Sequence, residues 1–182
     1  DADNPITGGK ILERSSLFLW DELLTDRELG DMLYSLRADK TTVIVDACFS
    51  GGFAQKTIAD FPTFFLLNSR IPGSGRVVIS GASKFRSGFA STTRGPLFSL
   101  LWFEGLTSGE ADGFRPGIRS VGKPPVLGLI KNGRVSVEEA FYYARYVLRN
   151  DETFDEYESM EPQINDQYPH RGILRNNGEL EL

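Results

Sequence analysis

The sequence predicts an α/β domain on a mostly parallel sheet, and three observations carry that prediction. Val43-Ile44-Val45 and Arg76-Val77-Val78-Ile79-Ser80 are short β-branched runs without polar alternation, the pattern of strands covered on both faces. Segments with helical apolar spacing alternate with them. Two of those segments open on capping boxes, Thr25 with Glu28 and Ser136 with Glu139. The 182 residues fit one domain. A 40% hydrophobic and 25% charged composition excludes a disordered or collagen-like chain. No apolar run approaches the length needed to span a bilayer. A net charge of −5 argues against a nucleic-acid binder, which needs a basic face. Cys48 is the only cysteine and His170 the only histidine, so an intrachain disulfide and a multi-cysteine zinc site are both excluded. A lone cysteine leaves the compartment open.

Taken in order, residues 1–10 are polar, contain Pro5, Gly8 and Gly9, and read as a loop or arm. Phe18-Leu19-Trp20 reads as a short strand or turn. A helix begins at Thr25, with Leu29, Met32, Leu33 and Leu36 on one face. The first strand, 43–45, runs into Asp46-Ala47-Cys48-Phe49-Ser50-Gly51-Gly52. Phe61, Phe64 and Phe65 read as a core helix or a flap. Pro72-Gly73-Ser74-Gly75 turns the chain into the second strand, which ends at Gly81-Ala82-Ser83. Residues 97–106 form an apolar helix after Gly95-Pro96, and 108–131 read as a long loop. The next helix starts at Ser136 and places Ala140, Tyr143, Ala144, Val147 and Leu148 on one face. An acidic stretch and a tail with one apolar run, Ile173-Leu174, follow. Two buried strands need neighbours on both sides, so part of the sheet is expected from elsewhere.

The cysteine stretch carries the chemistry. It places one thiol at the carboxyl end of a buried parallel strand, where open α/β sheets bind ligands. Glycines follow at once, allowing a tight turn and close backbone approach. Asp46 stands two residues before Cys48, and positions i and i+2 of a strand share a side, so both are expected to face one cleft. A thiol that attacks a carbonyl beside a carboxylate that holds a cation describes a protease for Arg or Lys bonds. The bland alternatives are a small buried cysteine and an N-capping or solvated aspartate.

Asp46-Ala47-Cys48-Phe49-Ser50-Gly51-Gly52 resembles the cysteine block of the caspase-like peptidases, closest to their metacaspase-like and clostripain-like members. Residues 77–83 resemble the next strand and its substrate-binding turn. Arg94-Gly95-Pro96-Leu97-Phe98-Ser99, Leu106 and Ala111-Asp112-Gly113 resemble the helix and acidic turn that follow, and 135–140 the start of the last helix. The likeness covers about residues 40–148. It implies a caspase-like α/β/α sandwich with a mostly parallel sheet, in which Cys48 is the nucleophile and its backbone N–H an oxyanion donor. It further implies that Asp46 lines the first specificity pocket for Arg or Lys, with Ser80, Gly81, Ala82 and Ser83 as the other wall.

The family's base is a His-Gly before the cysteine strand, and no histidine precedes Cys48. His170 lies on the other side of the chain in Tyr168-Pro169-His170-Arg171-Gly172, lacks the adjacent glycine, and reads as a surface residue. The expectation is a C-terminal product of self-proteolysis whose partner is an N-terminal chain carrying the His-Gly, with Lys or Arg before Asp1. A truncated chain and a non-catalytic interaction domain are the alternatives, and so is a legumain-like enzyme cutting after Asn or Asp. On this reading residues 1–24 are a post-cleavage arm, 25–148 the catalytic core and 149–182 a C-terminal extension. Substrates are peptides or proteins, with no nucleic acid and no membrane involved. The thiol chemistry needs no cofactor. The resemblance allows Ca²⁺ as an activator, with Asp151 and Asp155 of the acidic run Asp151, Glu152, Asp155, Glu156, Glu158 and Glu161 as weak ligand candidates. That run lacks a glycine-spaced calcium loop and otherwise reads as a solvated face. Lys84, Arg86 and Arg94 read as further self-cut positions or as solubilising charges.

Overall fold

The computed structural model describes residues 15–54, 71–114, 131–169 and 179–182. Phe61, Phe64, Phe65, His170, Ile173, Leu174 and the start of the chain therefore lie outside the described residues. The fold is mixed α/β, as its sequence predicts.

Strands β1 (Ser16–Phe18) and β2 (Leu23–Thr25) form an antiparallel hairpin. The strand thus ends at Phe18, and Leu19 N–H bonds Glu22 O across the turn at 2.9 Å, leaving Trp20 fully exposed. Within the stretch expected as an arm, Ser15 and Ser16 are buried, and Ser15 O accepts the Asp26 N–H at 2.9 Å.

Helix α1 (Asp26–Ser35) starts where its capping box places it. Thr25 Oγ1 accepts the Glu28 N–H at 3.2 Å, and Glu28 Oε2 accepts the Thr25 N–H at 2.9 Å. Its buried face is narrower than the periodicity predicts. Leu29 and Leu33 pack inward, one turn apart, while Met32 and Leu36 are exposed. Leu36 is already the C-cap in extended conformation, so it has left the helical face.

Strand β3 (Thr41–Val45) pairs in parallel with β4 (Arg76–Ser80), from Thr41↔Arg76 to Val45↔Ser80. Strand β7 (Gln163–Asp166) pairs antiparallel on the far side of β4. The described sheet is therefore ordered β3-β4-β7 with one parallel and one antiparallel pair, which corrects the expectation of a mostly parallel sheet. The physical reason is the tail, which returns after the helix Val137–Asn150 beside β4 rather than through a crossover.

Residues from both faces of the β3/β4 pair are packed. Val77 and Ile79 join one core with Phe98, Leu101, Phe141 and Leu148, while Val45 and Val78 join another with Phe53 and Ile71. This is the two-faced burial that continuous β-branched runs predict. Val43 and Ile44 are only half-buried, because β3 is an edge strand among the described residues.

A small antiparallel pair, β5 (Ala90–Ser91) and β6 (Gly95–Pro96), leads into α2 (Leu97–Ser108). Helix α3 (Val137–Asn150) packs along α2, with Ala140, Phe141, Tyr143, Ala144 and Leu148 buried and Val147 partly so. Gly105 makes this approach possible, since a Cβ there would lie 2.5 Å from the Tyr143 ring. The segment expected as a loop from 108 begins as a folded turn, Ala111 to Phe114, buried against α3. Glu139 closes it, with Oε1 accepting the Gly113 N–H and Oε2 the Ser136 N–H, each at 3.0 Å. Asp112 accepts the amides of Asn132 and Gly133 at 3.0 Å. Residues 115–130 lie outside the described residues. The acidic stretch forms a 3₁₀ segment, Glu152–Met160. No described helix is long and apolar enough to cross a membrane.

Candidate active site

The sequence-predicted residues meet at one end of the sheet. β3 stops at Val45, and Asp46, Ala47 and Cys48 leave its carboxyl end. Gly81, leaving β4, donates its N–H to Val45 O at 2.9 Å, so the two strand ends stay in register. Phe49 adopts the left-handed conformation (φ 59°, ψ 18°), and a short 3₁₀ turn, Ser50–Gly52, follows. Ser50 then ties the loops together: its Oγ lies 3.3 Å from the Ala82 N and 3.4 Å from the Ala82 O. Gly51 sits so close that an added Cβ would strike the Ser83 and Lys84 backbone. The glycine after the cysteine block thus serves backbone packing, whatever else approaches it.

Asp46 makes a specific contact that sequence reasoning gives only as its bland alternative. Its Oδ2 accepts the Ser99 N–H at 2.7 Å, in the first turn of α2. The N-cap of α2 is Pro96, which has no side-chain acceptor, so Asp46 caps this helix from another element. Its Oδ1 occupies the space above Gly81, where a Cβ would collide with it. Burial raises the carboxyl above its ordinary value of 3.8, against the lowering effect of the Ser99 bond.

Cys48 is half-buried, and its Sγ lies 3.5 Å from Gly88 O. Asp46 and Cys48 therefore meet different partners. The i, i+2 argument assumes an extended backbone through Cys48, and the strand has already ended. Ser80 and Ser83 are buried, and neither hydroxyl has a hydrogen-bond partner among the described residues. Of the four residues expected as the pocket wall, Gly81 lies against Asp46, while Ala82 and Ser83 lie against Ser50 and Gly51. The two unspent hydroxyls of Ser80 and Ser83 are polar groups that burial makes costly unless a ligand or water meets them.

The pattern does not foretell what covers the thiol. Residues 83–89 fold back over the cysteine loop, with Phe49 N–H bonding Arg86 O at 2.8 Å. A Cβ on Gly88 would lie 3.2 Å from the Ala47 carbonyl carbon and 3.3 Å from Cys48 N. Ser99 and this covering segment were the missed parts. Gly95-Pro96 was a signal for the first, because a proline at a helix start leaves the first amides needing a distant acceptor.

Asp151 Oδ1 accepts the Thr153 N–H at 2.9 Å as the cap of the 3₁₀ segment, and bonding to Thr153 lowers its carboxyl below the usual range. Among the described residues no three His, Cys, Asp or Glu side chains converge to hold a metal. No family model, curated protein or solved structure matches this chain.

Proposed function

We propose that this chain is the cysteine-bearing part of a caspase-like cysteine endopeptidase that cuts after Arg or Lys. The observation that carries the reading is a half-buried thiol and a partly buried carboxylate that leave one strand end, beside a β4 end with two unspent serine hydroxyls. Cys48 Sγ attacks the carbonyl carbon before the scissile bond. The histidine takes the thiol proton, the bond to the leaving amine breaks as that nitrogen receives the same proton from the histidine, and water then hydrolyses the thioester. Asp46 Oδ1 receives the basic side chain, and the Cys48 N–H donates to the oxyanion once the approach is open. The histidine comes from a separate N-terminal chain. The outer edge of β3, unpaired among the described residues, supports this, because a parallel strand added there would end beside Cys48.

One observation favours a second reading, a non-catalytic interaction domain: the Asp46 carboxylate already has a structural task at α2. The test is hydrolysis of peptides varying only in the residue before the cut, by Cys48→Ala and unaltered chain assembled with the His-bearing chain. Cleavage after Arg and Lys that vanishes in Cys48→Ala supports the endopeptidase. Unchanged cleavage in Cys48→Ala, or none by the unaltered assembly, sinks it, and cleavage after Asn or Asp reassigns its specificity.

A further inference from the structure

We propose that residues 83–89 form an autoinhibitory strap over the Cys48 thiol, latched to the 3₁₀ segment Glu152–Met160 and to Glu161, and that substrate enters only when this latch opens. The inference rests on Cys48 being the nucleophile and concerns the regulation of that site.

The strap touches the cysteine loop at three points. Arg86 O takes the Phe49 N–H at 2.8 Å, next to the thiol residue. Gly88 O lies 3.5 Å from Cys48 Sγ. The Gly88 backbone lies over the Ala47–Cys48 peptide, so closely that a Cβ there would press on Cys48 N. On the proposed mechanism this is the amide that donates to the oxyanion, and the strap crowds its approach.

The same strap is tied to the acidic segment at three more points. Ser83 N–H bonds Met160 O at 2.8 Å where the strap begins. Arg86 Nη2 pairs with Glu161 Oε1 at 3.7 Å, both side chains about half exposed. The Phe89 ring meets the Tyr157 ring edge-on, with centroids 4.8 Å apart. Glu161 itself is held at φ 50°, a left-handed conformation that turns the chain from the 3₁₀ segment into β7. A segment that reads in sequence as a solvated acidic face therefore fastens the strap over the thiol.

Apart from the Ser83–Met160 backbone bond at the start of the strap, the latch contacts are of the weak kind. An exposed ion pair is screened by water and salt, and an edge-on aromatic pair at a half-open site is modest. Contacts of this strength suit a cover that must lift for a basic peptide to reach Asp46 and Cys48. Such a peptide also offers Glu161 a replacement for Arg86.

The test is the rate at which iodoacetamide alkylates Cys48, which needs neither a substrate nor a histidine. In the native chain the thiol should react at least about tenfold more slowly than in the urea-unfolded chain. The double variant Arg86→Ala, Phe89→Ala should react about tenfold faster than the unaltered chain, the shift expected when an ion pair and an aromatic pair are lost together. Native reaction at the unfolded rate, or a folded double variant within twofold of the unaltered chain, overturns the strap. A second measurement covers a variant that fails to fold. In the unaltered chain the Phe49 amide should exchange with solvent at least about a hundredfold more slowly than a free peptide amide, and exchange at the free rate overturns the proposal. A shielded thiol in a chain that shows no peptidase activity even when assembled with the His-bearing chain would discard the peptidase reading while leaving the cover itself in place.

Discussion

Asp46 caps a helix, and the proposed function also gives it a substrate to bind; two substitutions separate these tasks. Asp46→Ala removes the acceptor of the Ser99 N–H, a 2.7 Å bond for which Pro96 offers no replacement. Loss of a helix cap costs about 0.5–2 kcal/mol. In a chain of this size each kcal/mol corresponds to about 2–4 °C in Tm, so Asp46→Ala should melt several degrees lower. Asp46→Asn keeps an oxygen facing Ser99 and removes the charge. Burial raises this carboxyl, so the fold favours its protonated form. Its stabilising contribution is complete below 3.8 and is lost as pH rises through the higher folded value. At neutral pH Asp46→Asn should therefore melt within about 1 kcal/mol of the unaltered protein, or above it. Activity should divide differently. Losing the charge partner of a bound Arg or Lys costs about 2–4 kcal/mol, roughly a 30- to 1000-fold fall in kcat/KM, in both variants. The assays are calorimetric melting and peptide hydrolysis by the assembled enzyme. If Asp46→Asn melts as low as Asp46→Ala, the capping argument fails. If it cleaves Arg peptides normally, Asp46 is not the specificity acid.

Two further outcomes follow from buried carboxyls away from the thiol. Glu138 accepts the Leu180 N–H at 3.0 Å, and burial, aided by Asp166, pushes it up to about 7. Its contribution is fully present below 4.5 and is lost as pH rises through about 7. Melting temperature should thus fall between pH 5 and 8 by the equivalent of at most about 3 kcal/mol, and Glu138→Gln should flatten that slope; a slope that persists in the variant discards Glu138 as its source. Glu139→Ala leaves the buried amides of Gly113 and Ser136 without their acceptors, so urea unfolding should show a loss of about 2–5 kcal/mol; a loss below about 1 kcal/mol would show that these amides find other partners.

What the sequence made legible was local. The two capping boxes are four-residue signals, and α1 and α3 begin where they stand. The β-branched runs name β3 and β4, because burial on both faces leaves no other use for such residues. What stayed hidden depends on distant contacts. Gln163–Asp166 has no strong alternation, and it becomes a strand only because β4 offers a free edge. Met32 belongs to the periodic face of α1 yet stays exposed, since the hairpin and sheet reach only Leu29 and Leu33. The position of the candidate site at a strand end was legible; the partners of its side chains were not. Asp46 looks two residues ahead to Cys48 in sequence but bonds Ser99, and the thiol meets Gly88.

This division has a functional consequence. The contacts that fix the site itself are buried and involve backbone: Gly81 to Val45, Ser50 to Ala82, and Gly51 against the Ser83–Lys84 peptide. None can open without exposing unpaired polar groups or breaking close packing, so they resist disturbance. The cover is fastened by the Ser83–Met160 and Phe49–Arg86 backbone bonds and, at the surface, by one screened ion pair and one aromatic edge. When a ligand competes for this end of the sheet, the surface set yields first. The strand ends can then stay registered while the thiol is uncovered, which a preorganised nucleophile requires.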